Sequence, residues 1–266
     1  VLNFLLLLLI VLFSSCNSCE KEQKNEHKLE KGKEKGKALL IGMRKTNISK
    51  YSNTATFRSR SNIKRIKKIL EKEDFSKIEI LESPKDTEFL NSLKMMINEL
   101  NNDELLVIYY FGHGGQIEDD IGGYDNEYDG LDETFVTKNR EVRDDEIYKI
   151  LNEASSNGKI LFIIDACNSE SLIKFTQVIQ HDIAIELDSS LDVLYLGATN
   201  DGKEIPPNTF SKLLEKVWDN GKFDGNYLDF HNELINESRN IRGMNPILDD
   251  EWASEGFIKR QPFKIY

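Results

Sequence analysis

The stretch "KILFIIDACNSES", residues 159–171, decides the fold. Five consecutive apolar residues, Ile160 to Ile164, lie between Lys159 and Asp165. A run of that length without alternation reads as a strand buried on both faces, as in the interior of a parallel sheet. The strand ends in a carboxylate, and Cys167 follows two residues later. A helix is expected from about 168 to 179. A thiol is mostly protonated at neutral pH, and a helix N-terminus or a nearby imidazole favours the thiolate. Cys167 is the only cysteine beyond the extreme N-terminus.

The same two periods alternate along the rest of the chain. "KALLIGM" (37–43), "KIEILES" (77–83), "ELLVIYYFGHG" (104–114) and "LDVLYLGAT" (191–199) predict strands. Residues 61–73 predict a helix with Ile63, Ile66, Ile69 and Leu70 on one face, and 85–101 another with Phe89, Leu93, Met96, Ile97 and Leu100. Helices are also expected over 143–155, 210–220 and 226–239, and "GFIKRQPFKI" (256–265) reads as a last strand. The pattern predicts an α/β fold with a mostly parallel central sheet and helices on both faces. Ligands of such sheets bind outside the carboxyl ends of the strands. No GxGxxG or P-loop stands at any strand end, so nothing supports a nucleotide site.

The chain has 266 residues and a formal net charge of −11. Seven Lys and five Glu fall within 20–37, so residues 38–266 carry −13. A body that acidic repels a phosphate backbone, which argues against nucleic acid as a partner. It suits basic peptides or metal ions. Three cysteines are too few for a disulfide framework, and no CxxC or Cys/His cluster suggests zinc.

"VLNFLLLLLIVLFSSC" (1–16) opens with about 13 nearly continuous apolar residues. As a helix they would span about 20 Å, short of a hydrocarbon core of about 30 Å. The segment reads as the apolar region of a signal peptide. Ser14, Ser15 and Cys16 resemble a bacterial lipobox, whose cysteine is lipidated after cleavage. Residues 16–37 contain almost no apolar residue and read as a charged, flexible tether. The expected organisation is a lipoprotein-type signal peptide (1–15), the tether (16–37) and one domain (38–266).

The second strand end that stands out is "YYFGHGGQ" (109–116), where glycines flank His113. If this strand and the one ending at Asp165 are neighbours, His113 and Cys167 leave the sheet on adjacent loops. His113 could then activate the thiol or protonate a leaving amine. A backbone without Cβ lets an amide approach a substrate carbonyl, so the N–H groups of Gly114 and Cys167 could form an oxyanion hole.

"YYFGHGGQ", an acidic loop ending "DGLDETF", "RDDEIYKIL" and "ILFIIDACNSES", in this order, resemble the motif series of metacaspase-like cysteine peptidases of the caspase fold. The resemblance runs over about 38–266, through the closing "NPILDDEWASEGFIKRQPFKI". It implies a caspase-like three-layer sandwich, a catalytic dyad of His113 and Cys167, and no required cofactor. It implies cleavage of protein or peptide substrates after Arg or Lys, with Asp165 lining the pocket. It also implies a monomer. A carboxylate in a partly desolvated pocket is a natural bidentate partner for guanidinium; the bland alternative for Asp165 is a cap on the following helix. A second pocket acid of the family aligns with Asn62. "CNSES" replaces the common C-H-S-G-S, and Glu170 brings a negative charge toward the cleft.

The loop over 118–133 holds eight acidic residues and no base. It reads as a solvated flap, a calcium site or a lure for basic substrates. "DNEYDG" (125–130) resembles the start of an EF-hand, but Val136 stands where the bidentate Glu belongs. The family's different calcium site matches at Asp132, Asp144 and Asp145, while Lys174 stands at its fourth position and adds positive charge. Calcium activation is therefore an open expectation. His181 and His231 read as surface or packing histidines, and Trp218 and Trp252 as core or interface aromatics. The combined expectation is a cysteine endopeptidase held on a bacterial cell envelope by a lipidated Cys16, touching the membrane only through that anchor. A catalytically weak caspase-fold binding module and a calcium-binding surface lipoprotein are the alternatives.

Overall fold

The computed structural model describes residues 36–51, 58–102, 104–118, 130–166, 189–200, 205–206 and 208–266. The chain divides into two units, Val1–Glu34 and Lys35–Tyr266, and every described residue belongs to the second. The signal peptide, Cys16, nearly all of the tether, the centre of the acidic loop, Cys167 and the helix expected after it lie outside the described residues.

Six strands form the main sheet: β1 (Gly36–Gly42), β2 (Lys77–Glu82), β3 (Leu105–Phe111), β7 (Lys159–Asp165), β8 (Asp192–Gly197) and β9 (Ile247–Asp249). Their order is β2-β1-β3-β7-β8-β9; all pairings are parallel except β8 with β9. β1 and β3 are buried at every residue, as expected of strands covered on both faces. One face packs against α2 (Asp86–Asn98) and α3 (Asp144–Asn152), through Phe89, Leu93, Met96, Ile147 and Leu151. The other packs against α1 (Ser59–Lys72), α4 (Thr209–Trp218) and α5 (Tyr227–Ser238), through Ile66, Leu70, Leu214 and Phe230. Helix, sheet and helix make three layers around two apolar cores.

A second sheet, of order β4-β5-β6, is antiparallel and comprises β4 (Gly114–Glu118), β5 (Leu131–Val136) and β6 (Glu141–Arg143). Its first strand continues directly from the loop that carries His113. A tight turn joins β5 to β6, closed by Thr137, whose N–H and hydroxyl both donate to the Arg140 carbonyl at 2.9 and 2.6 Å. Arg140 then spans to Asp86 at 2.6 Å and forks onto Glu146 at 2.6 and 2.8 Å. That fork ties the turn to the starts of α2 and α3.

Three expectations change. "GFIKRQPFKI" is not a strand: α6 (Glu255–Ile258) occupies its start, capped by Ser254, whose hydroxyl accepts from the Phe257 N–H at 3.1 Å. Phe257 and Phe263 are core residues, but Pro262 and Phe263 are buried side by side rather than in alternation, and the antiparallel edge is instead the short β9. The end of the acidic stretch is no solvated flap, because Asp132 and Glu133 are buried within β5. Gly36 and Lys37, at the end of the expected tether, are strand residues.

Lys37 belongs to a buried ion pair. Its ammonium donates to Glu104 and to the Glu99 carbonyl, both at 2.7 Å, beneath the entry to β1 and β3. Burial alone would push the Glu104 carboxyl up, but Lys37 and the Asn101 N–H bring it below its ordinary value. Removing one partner leaves the other charge buried. Lys37→Met should therefore cost about 3 kcal/mol of unfolding free energy by the usual cost of breaking such a pair. Urea unfolding of the full chain measures this, and an unchanged midpoint would contradict it.

Candidate active site

The register of β3 and β7 builds the site. Phe111 pairs with Asp165, so the two strands end side by side. His113 follows Phe111 by two residues, as Cys167 follows Asp165 by two. Met43 N–H donates to the Phe111 carbonyl at 2.8 Å and brings the loop after β1 to the same edge.

The backbone at His113 is held from beneath. The Tyr110 hydroxyl lies 2.9 Å from the carbonyl oxygens of both His113 and Val136, and the Val136 N–H donates to the His113 carbonyl at 3.2 Å. A side chain at Gly112 would run into that tyrosine hydroxyl, and one at Gly115 into Tyr51, Glu141 and Thr134. Close packing under the loop is therefore a reason for both glycines that the sequence does not reveal. Gly114 opens β4 and is buried. The His113 ring is half-buried and stacks on Tyr51, with centroids 5.4 Å apart and planes inclined by 17°.

Asp165 lies on the α1 and α4 side of the sheet and is almost fully buried. The Tyr109 hydroxyl donates to its Oδ2 at 2.7 Å. Burial pushes its carboxyl up to about 6, opposed by Tyr109, a backbone hydrogen bond from Ser211 and the charge of Arg65. Ser211 stands in the first turn of α4, where the helix dipole also favours an anion. Asn62 Oδ1 accepts from the Ser211 hydroxyl at 2.7 Å, and Arg65 donates to that hydroxyl and to Glu215, each at 3.0 Å. Position 62, where the family's second acid was expected, thus serves a neutral hydrogen-bond chain beside an internal guanidinium.

The three aspartates matched to calcium stand close in the chain but are engaged otherwise. Asp132 pairs with the Arg143 Nε at 2.7 Å. Asp144 and Asp145 open α3, where Asp144 Oδ1 accepts the Asp145 N–H at 3.0 Å. Among the described residues, no group of three or more His, Cys, Asp or Glu side chains could hold a metal ion. The Arg143 guanidinium thus stands against Asp132, the first of the three. His231 Nε2 lies 2.9 Å from the Pro246 carbonyl, a packing role, and Trp218 is a core residue that donates to Glu73 at 2.8 Å. Among the described residues no helix is long and apolar enough to cross a membrane.

Comparison with known proteins places this geometry. The fold is similar to protein GSU0716 from Geobacter sulfurreducens, with a TM-score of 0.68 and 20% identity over 87% of this chain and 99% of that one. It is also similar to caspase-1 from Spodoptera frugiperda, with a TM-score of 0.58 and 13% identity over 83% of this chain and 90% of that one. The architecture is therefore caspase-like. In sequence, metacaspase III c of Phaeodactylum tricornutum is 29% identical over 118 residues, 41% of this chain and 34% of that protein. Metacaspase-1 of Schizosaccharomyces pombe is 25% identical over 124 residues, 43% of this chain and 28% of that protein. The chain thus spans about a third of the length of these relatives. The metacaspase, peptidase C14 domain matches residues 37–176, just over half of the chain, from β1 through the His113 loop to beyond Cys167. On that match, the chain belongs to the metacaspase, peptidase C14 domain family.

Proposed function

We propose that the chain is a cysteine endopeptidase in which Cys167 and His113 form the dyad and which cuts after Arg or Lys. The observation that carries the reading is the β3–β7 register, with Asp165 opposite Phe111. It puts the strand ends that precede His113 and Cys167 side by side. The thiolate of Cys167 attacks the scissile carbonyl carbon, and the oxyanion draws on the Gly114 and Cys167 N–H groups. The C–N bond breaks as the His113 imidazolium gives its proton to the leaving amine. Water then attacks the thioester carbon, His113 takes its proton, and the thiolate leaves.

Asp165 supports a basic preference. A carboxyl that burial pushes up to about 6 costs stability when ionised, and such costs concentrate at functional sites. The neighbouring Arg65 tempers the preference by sharing the same negative charge. The N-terminal leader and tether fit an exported lipoprotein anchored through Cys16, which would present the peptidase at an envelope surface.

Two experiments test this reading. In a peptide-library assay run with and without added calcium, the full chain should cut after Arg or Lys, and Cys167→Ala should abolish cleavage. Unchanged turnover by that variant would sink the assignment. The second follows the Asp165 carboxyl. Its folded value of about 6 exceeds the ordinary 3.8, so the folded state keeps a proton that the unfolded chain releases. Stability from this group is therefore lost as pH rises from about 4 to about 6. Asp165→Asn should flatten that slope and be the more stable form at pH 7 by up to about 3 kcal/mol. Chemical unfolding across pH measures it; an equal slope in both proteins would refute it.

A further inference from the structure

We propose that Tyr51 is a positioning residue for His113, holding the imidazole in the plane its proton transfers require. The proposal rests on the peptidase reading above. Tyr51 comes from the loop between β1 and α1, a segment with no recognisable motif. Its ring stacks on the His113 ring at 5.4 Å and 17°. A stacked ring blocks rotation of the imidazole about its χ2 bond, the soft torsion of a histidine. A misdirected general acid loses rate steeply, since effects of about 1 Å in placement are worth about a hundredfold.

Tyr51 can act so only if it is itself fixed, and contacts at its hydroxyl, its ring and its loop fix it. Its hydroxyl donates to Glu141 Oε1 on β6 at 2.6 Å. The same oxygen accepts from the Thr134 hydroxyl on β5 at 3.0 Å and lies 3.6 Å from the Lys50 ammonium. Lys50 stands over the Tyr51 ring at 5.1 Å and donates to the Gln116 carbonyl of β4 at 3.2 Å. Further back, the Asn47 N–H and the Thr46 hydroxyl donate to the carbonyls of Lys138 and Thr137 at 2.7 and 2.8 Å. The small antiparallel sheet thus grips the tyrosine at its hydroxyl and its loop at the backbone. Gly115 completes the arrangement, because any Cβ there would meet the Tyr51 hydroxyl, Glu141 and Thr134 together. Burial and the Glu141 carboxylate both push the phenol up from its ordinary value, so the hydroxyl remains a donor.

The role assigns separate jobs to the two ends of the residue. The ring fixes the imidazole, and the hydroxyl fixes the ring. In the full chain, Tyr51→Leu should lower kcat about tenfold or more with KM within about twofold. Tyr51→Phe keeps the stack and should recover to within about threefold of the native kcat. Thermal melting of both variants should match the native protein. Proton NMR of the imidazole reads the stack without reference to turnover: the ring-current shift of His113 should vanish in Tyr51→Leu and persist in Tyr51→Phe. Native kcat in Tyr51→Leu, or a rate loss that tracks a fall in melting temperature, would overturn the proposal. If the native chain cuts no peptide, the peptidase reading fails. The NMR comparison still decides whether Tyr51 orients the ring, and an unshifted His113 signal in Tyr51→Leu overturns that independently.

Discussion

Everything at the candidate site depends on the pairing of β3 with β7. Parallel register is set by which residues face which core, and a slip of one residue would turn every side chain to the opposite face. Leu106, Ile108 and Tyr110 must meet the α2–α3 layer while Val107, Tyr109 and Phe111 meet α1 and α4. The same holds for Ile160, Phe162 and Ile164 against Leu161 and Ile163. With both strands so constrained, odd slips of register are excluded, and Phe111 lies against Asp165. Two apolar cores thereby fix the spacing of the polar chemistry at the strand ends.

The polar groups gathered there lean on one another at some expense. Asp165 draws on Tyr109, Ser211 and Arg65, and Asp132 draws on Arg143. A buried ion pair is weak evidence for stability, because desolvation offsets much of its attraction. Its value is in what it fixes. Arg143 ends β6 and precedes α3, so its pairing to β5 sets where α3 starts. The small sheet therefore does more than extend the His113 loop, since through Glu141 and Thr134 it also fixes the ring packed on the histidine.

The large elements were legible because their signal is hydrophobic period, which survives in sequence. Two-sided strands such as "LLVIYYF" and one-sided helices such as α1 appear within about three residues of their expected ends. The small sheet was hidden because β5 and β6 carry Asp, Glu and Arg, whose burial depends on partners distant in sequence. Tyr51 was hidden for the same reason: its role is visible only once the β1–α1 loop lies over β4 and β6. The closing "GFIKRQPFKI" misled because Phe257 and Phe263 enter the core from a short helix and a turn. The places of His113, Gly114 and Asp165 at the strand ends were readable from motif and strand end alone. What Asp165 touches was not, since Ser211 and Arg65 arrive from α4 and α1.

The central claim is that the strand ends of β3 and β7 bring His113 and Cys167 to one reacting centre. A peptide electrophile ending in Arg, incubated with the full chain and mapped by mass spectrometry, tests it most directly. The account predicts a single adduct on Cys167 that forms much more slowly in His113→Ala. A folded native chain that takes no adduct, or takes it equally well without His113, would contradict it.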